Sequence, residues 1–200
     1  AHAASIVGSV DVPVSADLEN GFAHEPEGVA VTIAAACATG LAGCSVEDYG
    51  QRAPDDIYDI GLARERVAAA AAASGGMVLT ARAENFIRNR PDLADTISRL
   101  QAYQEAGADV LYAPGLQRLQ DIREVVKSVD RPVNVLVVRE APTVAELAEV
   151  GVARISVGSS FATAAWGAVV RAATELRQSG TYGFLELAGE GARAVRKAFH

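Results

Sequence analysis

The stretch Asp92-Leu93-Ala94-Asp95-Thr96-Ile97-Ser98-Arg99-Leu100-Gln101-Ala102-Tyr103-Gln104-Glu105-Ala106-Gly107-Ala108-Asp109-Val110-Leu111-Tyr112-Ala113 holds one complete helix-to-strand unit. From 92 to 106 apolar and polar residues interleave at helical spacing. Gly107 stops that helix, and a short apolar run over 109–113 follows at once, as a buried strand would. The same rhythm extends in both directions. Runs rich in Val, Ile and Leu predict further strands at 11–18, 43–48, 77–84, 132–138 and 153–157. Amphipathic, Ala-rich stretches between them predict helices at about 26–39, 58–73, 119–128 and 144–150. A longer helix is expected over 161–178, and another in the tail over 189–199. Gly40 and Gly151 repeat the role of Gly107, and Thr143 with Glu146 reads as a capping box. No low-complexity linker divides residues 1–200, so a single domain of β/α units around a parallel sheet is expected.

Six strands are two short of a closed eight-stranded barrel. The chain also opens within what reads as a helix end, from His2 to Ser9, running into a strand. Two architectures fit: an open doubly wound sheet, or a (β/α)8 TIM-type barrel lacking its first two β/α units. Composition leaves both open, but the motifs at the strand ends favour the second, so an N-terminally incomplete (β/α)8 barrel is the expected fold.

Half of the 200 residues are apolar, enough for one sizeable core. A net charge of −7 speaks against a nucleic-acid partner, which needs clustered Lys and Arg to neutralise phosphate. The two cysteines, Cys37 and Cys44, are too few for a disulfide scaffold and read as buried thiols in a reducing cytoplasm. The Ala-rich runs are short and flanked by charge, so no membrane span is expected, and no signal peptide opens the chain.

Chemistry is expected at the C-terminal ends of the strands, where barrel enzymes place it. Asp17 and Glu19 are two apart and should project together into the barrel mouth. The second strand offers Glu47 with Ser45 on one face and Asp48 near the rim; the third sets Thr80, Arg82 and Glu84 on one face. Three converging carboxylates repel unless a cation holds them. Oxygen donors with no strand His or Cys nearby suit Mg²⁺ rather than Zn²⁺. Arg82 could then hold a substrate carboxylate in a bidentate fork. Acids that simply cap strand ends into solvent are the plainer alternative. For one Asp it would prevail; for three acids and an Arg it is the weaker reading.

Val14-Ser15-Ala16-Asp17-Leu18-Glu19-Asn20-Gly21-Phe22 resembles the Asp-x-(Asp/Glu)-x-Gly-(Tyr/Phe) segment of the isocitrate lyase/phosphoenolpyruvate mutase superfamily. Gly43-Cys44-Ser45-Val46-Glu47-Asp48, Leu79-Thr80-Ala81-Arg82-Ala83-Glu84, Ala106-Gly107-Ala108-Asp109 and Val152-Ala153-Arg154-Ile155-Ser156-Val157-Gly158 are similar to its later segments, in the same order. The resemblance implies Mg²⁺ at Asp17, Glu19 and Glu47, partly through water, with Asp17, Glu47 and Arg82 as the catalytic set. It places Ser15, Arg82 and Asn134 around a small carboxylic-acid substrate. It also implies a homo-oligomer, tetramer or dimer, with the last long helix exchanged between subunits.

Departures from the family narrow the reaction. Tyr49-Gly50-Gln51-Arg52-Ala53-Pro54-Asp55-Asp56 replaces the gating loop that carries Cys, His and Lys in isocitrate-type lyases, and Lys and Asn in the phosphonate mutases. Tyr112-Ala113-Pro114-Gly115 stands where the lyases have a Glu, and of their Asn-x-Thr only Asn134 remains. The pattern is closer to the less characterised branch of the family, oxaloacetate-decarboxylase-like or carboxyphosphonoenolpyruvate-phosphonomutase-like. The expected activity is therefore a Mg²⁺-dependent lyase reaction, C–C cleavage or decarboxylation of a 2-oxo or 2-hydroxy acid through a metal-stabilised enolate. Phosphonomutase or phosphonopyruvate-type P–C chemistry is the alternative. A barrel remnant acting only as a binding or assembly module is the alternative of another class.

Lesser features carry plainer readings. Lys127 and Lys197 are the only lysines and neither lies on an expected strand, which disfavours a Schiff-base aldolase. His24 could reach the site as a general acid, although a solvated loop histidine is the commoner case. Gly158-Ser159-Ser160 could cradle a phosphate, with tight strand-to-helix packing the plainer role. Phe161 and Trp166 read as packing residues, in the core or against another subunit.

Overall fold

All the expected strands form, as β1 (Ser15–Asp17), β2 (Gly43–Glu47), β3 (Val78–Arg82), β4 (Val110–Tyr112), β5 (Val133–Leu136) and β6 (Arg154–Ser156). They come from a computed structural model that describes residues 1–50 and 57–199. The strands make one parallel sheet in the order β1-β2-β3-β4-β5-β6. Parallel neighbours that follow one another in the chain need a crossover between each pair. Helices supply it: α1 (His2–Val7) precedes the sheet, and α2 (Pro26–Cys37), α3 (Ile60–Ala73), α4 (Leu93–Glu105), α5 (Leu119–Ser128) and α6 (Val144–Glu149) alternate with its strands. This sequential wall is that of a partial TIM-type barrel, and a reversing, doubly wound strand order is not what forms.

The alternation of apolar faces explains the packing. Val29 and Ile33 on α2, Val67 and Ala70 on α3, Leu100 and Tyr103 on α4, and Ile122 and Val125 on α5 are each buried at helical spacing. They join Cys44, Val46, Leu79, Ala81, Leu111, Val133 and Val135 of the strands in one core. Each fully buried Leu, Ile or Val stabilises the fold by roughly 1.5–3 kcal/mol against leaving it exposed. Gly107 turns from α4 into β4 at φ +105°, a conformation open to Gly and hard for other residues. Thr143 and Glu146 close the expected capping box at the start of α6.

β1 is shorter than the expected 11–18. Pro13 lacks the N–H a ladder needs, and Val12 is exposed. The second strand and third strand likewise stop one and two residues before their expected ends, at Glu47 and Arg82.

Two compact units divide the chain, Ala1–Ser156 and Val157–His200. The first holds the sheet and α1 to α6. The second holds α7 (Ser160–Ser179) and α8 (Leu185–Ala198). Glu175 closes the turn between these two helices, accepting from Thr181 Oγ1 at 2.6 Å, Gly183 N at 2.6 Å and Phe184 N at 3.2 Å. α8 begins earlier than expected, because the helix runs through Gly189 and Gly191 instead of starting beside them. Phe161 and Trp166 of α7 are exposed, so neither is a core residue of this chain.

Candidate active site

Strand register sets one transverse row of side chains: Glu47 pairs with Arg82, Arg82 with Tyr112, Tyr112 with Asn134, and Asn134 with Arg154. Asp17 lies one pleat deeper, in register with Ser45, and residues two apart on a strand share a face. The row lies at the C-terminal strand ends, and Arg82 is the member that gathers the acids.

The Arg82 guanidinium reaches three carboxylates at once. Its Nη1 lies 2.6 Å from Asp17 Oδ2, and its Nη2 3.2 Å from Glu47 Oε2 and 2.8 Å from Glu84 Oε1. Nε donates to the same Glu84 oxygen at 3.0 Å. The Tyr112 ring centre is 5.2 Å from its Cζ. Ser45 Oγ and the Glu19 backbone N–H both donate to Asp17 Oδ1, each at 3.0 Å. A second guanidinium, Arg88, stacks 3.5 Å from the Tyr49 ring centre and stands 3.4 Å from Glu84 and 3.8 Å from Glu47.

Burial sets the electrostatics. Loss of water pushes the Glu47 carboxyl up to about 7; Glu84 and Asp17 add to the rise, while Arg82 and Arg88 oppose it. Glu84 is raised by burial as well, against the pull of Arg82. Burial alone would lower the pKa of Arg82, but Glu84, Glu47 and Asp17 outweigh it and keep the guanidinium charged. Cys44 is pushed up to about 11, by burial first and Cys37 second, so its thiol is protonated at neutral pH and a poor nucleophile.

Several expectations change here. Asp48 is not at the rim: it is 3% exposed and faces the helix layer. There it accepts from Tyr103 Oη at 2.5 Å, Glu84 N at 2.8 Å and Arg99 Nη1 at 3.0 Å. Strand alternation explains it, since Glu47 faces inward and its neighbour must face out. Asp17 is the most exposed of the three acids around Arg82, its side chain 57% exposed on the edge strand. Glu19 lies past the end of β1 at φ +50°, so strand alternation does not carry it to Asp17; its carbonyl accepts from Glu47 N at 2.8 Å. Cys37 is half-buried where full burial was expected. His24 sets its ring edge-on to Tyr58, with centroids 5.2 Å apart. Asn134 is buried, donating to Ser156 Oγ at 3.0 Å and accepting from Arg154 Nη1 at 3.4 Å. Ser15 is exposed and in register with Gly43, two residues before Asp17. Residues 51–56 of the compared gating loop lie outside the described residues.

Among the described residues, no group of three or more His, Cys, Asp or Glu is gathered closely enough to hold a metal ion by itself. Glu84, Arg88 and Tyr112 belong to the site although none was singled out as a site residue. Alternation already puts Glu84 on the face of Arg82, and the i,i+4 spacing from Glu84 is the signal that could have found Arg88.

Functional side chains at the C-terminal ends of parallel strands lie where barrel proteins place their active sites. The chain belongs to the phosphoenolpyruvate phosphomutase family, whose model matches residues 1–177. It is 32% identical over 147 residues to an uncharacterized protein of Mycobacterium tuberculosis, a match covering 73% of this chain and 54% of that one. The chain thus spans about half the length of the curated relatives it matches. It is similar to a protein of Burkholderia cenocepacia J2315 provisionally classed as a lyase/mutase, at 47% identity and TM-score 0.87 over 92% of this chain and 69% of that chain. A phosphonopyruvate hydrolase crystallised with oxalate and Mg²⁺ is 25% identical at TM-score 0.78, over 98% of this chain and 75% of the other. Among the described residues no helix is long and apolar enough to cross a membrane.

Proposed function

We propose that this protein is a Mg²⁺-dependent lyase that breaks a C–C bond of a small 2-oxo or 2-hydroxy carboxylic acid, by C–C cleavage or by decarboxylation. The observation that carries the reading is Arg82, held among Asp17, Glu47 and Glu84 at the strand ends. The donor chemistry fits the ion. Asp17 and Glu47 present hard oxygens; burial first, and then Glu84 and Asp17, raise the Glu47 carboxyl, and a nearby cation would oppose that rise. Mg²⁺ takes one or two carboxylates and keeps several waters, so it needs no ready-made cluster of three protein ligands. Asp17 and Glu47 would hold it, with Glu19 acting through water. When bound, Mg²⁺ supplies the Lewis-acid charge that draws electrons toward the 2-oxygen of the substrate.

The side chains divide the remaining work. Arg82 carries three carboxylate partners, and a substrate carboxylate takes the place of Asp17 or Glu47 on its fork. Glu84 keeps its grip on Nε and Nη2 and so fixes the plane of the guanidinium. Asn134 and Ser15 are assigned to the polar atoms of the substrate. Loss of CO₂ from a 2-oxo diacid asks for no protein nucleophile, which agrees with the protonated Cys44.

P–C bond cleavage is the second reading, favoured by the family and by the phosphonopyruvate hydrolase likeness. The exposed Phe161 and Trp166 of α7 support assembly into a homo-oligomer. The deciding experiment is turnover with Mg²⁺ on oxaloacetate, methylisocitrate, dimethylmalate and phosphonopyruvate, following the 2-oxo acid, CO₂ and phosphate released. Phosphate from phosphonopyruvate alone would move the assignment to P–C chemistry. No turnover together with no Mg²⁺ binding would leave a binding or assembly module.

A further inference from the structure

Arg66 of α3 is 1% exposed, yet among the described residues no carboxylate pairs with it. Its guanidinium is spent on main-chain oxygen instead. Nη1 donates to the carbonyls of Ala23, at 2.8 Å, and His24; Nη2 donates to that of Asn20. The cation also lies over the Tyr58 ring, 4.2 Å from its centre, and Tyr58 Oη accepts from Asn20 Nδ2 at 3.3 Å. All three carbonyls belong to the segment that leaves β1 directly after Asp17.

That segment is bent in a way few sequences adopt unaided. Glu19, Gly21 and Phe22 have φ of +50°, +70° and +53°. Left-handed residues persist where the surroundings over-determine them. α2 presses on the segment from one side: a Cβ on Gly28 would stand 2.6 Å from that of Ala23. Arg66 holds it from below. The segment is tied to the site at its other end, since Glu19 N donates to Asp17 Oδ1 at 3.0 Å and Glu19 O accepts from Glu47 N at 2.8 Å.

A buried guanidinium with no salt-bridge partner among the described residues, attracted by the carboxylates of Glu25 and Asp48 only from further off, is a costly way to fill a core, and an apolar side chain of similar length would fill it more cheaply. What an apolar side chain could not do is satisfy three inward-facing carbonyls. We propose that Arg66 is a positioning residue that clamps segment 19–24 and thereby sets Asp17 and Glu19 for the cation and substrate. The positioning half rests on the metal reading above; the clamp itself does not.

The test pairs Arg66→Met and Arg66→Lys with Val67→Ala, a neighbouring core truncation that lowers stability without touching the clamp. Amide hydrogen exchange of segment 19–24 should quicken by at least about tenfold in Arg66→Met and not in Val67→Ala, with peptides of β5 as reference. Arg66→Lys, which keeps the charge and donors enough for part of the carbonyl set, should fall between. Calorimetric titration with Mg²⁺ plus oxalate should show affinity at least about tenfold weaker in Arg66→Met than in Val67→Ala. Should Arg66→Met fail to fold, Arg66→Lys against Val67→Ala decides both readings. Exchange no faster than in Val67→Ala overturns the clamp. Faster exchange with unchanged Mg²⁺–oxalate affinity overturns the positioning role. A wild type that binds no Mg²⁺ overturns the metal reading and the positioning role with it, while the exchange result still decides the clamp.

Discussion

Arg82 on β3 and Asp17 on β1 meet at 2.6 Å although β2 runs between their strands. The long side chain of Arg82 crosses the mouth of the sheet, passing the Glu47 end of β2, to reach the short acid on the edge. A contact made over an intervening strand is a bridge across an opening and not a packing contact. It keeps the acids of two strands within range of one cationic group.

Arg82→Lys should therefore lose the planar fork while keeping the charge. Oxalate binding in the presence of Mg²⁺ should weaken by roughly 1.5–3 kcal/mol, the range for hydrogen bonds to charged groups. Calorimetry checks it. Oxalate bound as tightly as by wild type would remove Arg82 from the substrate shell.

Asp17→Asn removes one proposed metal ligand and one partner of Arg82. The pair is more than half exposed on the Asp17 side, so its loss should cost no more than about 1 kcal/mol of stability. Relief of the repulsion that Asp17 exerts on Glu47 works the other way. The thermal midpoint in chelator should thus barely move, while Mg²⁺ affinity falls. A large drop in midpoint would mark Asp17 as structural.

Glu47 links stability to pH. Its folded pKa of about 7 stands above its ordinary 4.5, so the folded state holds a proton the unfolded state has given up. The stability that the protonated form allows is whole below 4.5, declines as pH rises, and is gone above 7, a loss on the order of 3 kcal/mol. Urea denaturation in chelator from pH 4.5 to 8 should show this decline in wild type and a flatter curve in Glu47→Gln. Parallel curves for the two proteins would show that Glu47 ionises normally.

Tyr103→Phe tests the outer face of the same strand end. It removes the 2.5 Å donor to Asp48 and leaves Glu84 N and Arg99 in place. Stability should fall by about 1.5–3 kcal/mol with Mg²⁺–oxalate affinity unchanged. Lost affinity at full folding would mean that the two faces are coupled.

The wall and the inner face of its strand ends were legible because their signals are local. Glycine stops, apolar runs and a period of two identify β2 and β3 and put Glu47 and Arg82 on one side. Glu19 shows where that logic ends: the period of two holds only while the strand lasts, and β1 stops at Asp17. Asp48 was misplaced for a different reason. Whether a strand-end acid meets water or a helix depends on Tyr103 and Arg99, 55 and 51 residues further along the chain. Arg66 was beyond reach, since an arginine in an Ala-rich helix reads as surface until the carbonyls of a distant loop are seen above it.

One peptide link separates Glu47 from Asp48, and with it two lines of selection. Glu47 faces the opening, whereas Asp48 is fastened to α4 from behind. A change of inward-facing side chain at Ser45, Glu47 or Arg82 leaves the fastening behind the strand untouched. Such a strand can be re-lettered on its inner side by drift or in a laboratory library without the scaffold having to be re-found each time. A variant library confined to Ser45, Tyr112 and Asn134 should accordingly yield mostly folded proteins, and a library of equal size at Asp48, Arg99 and Tyr103 mostly unfolded ones.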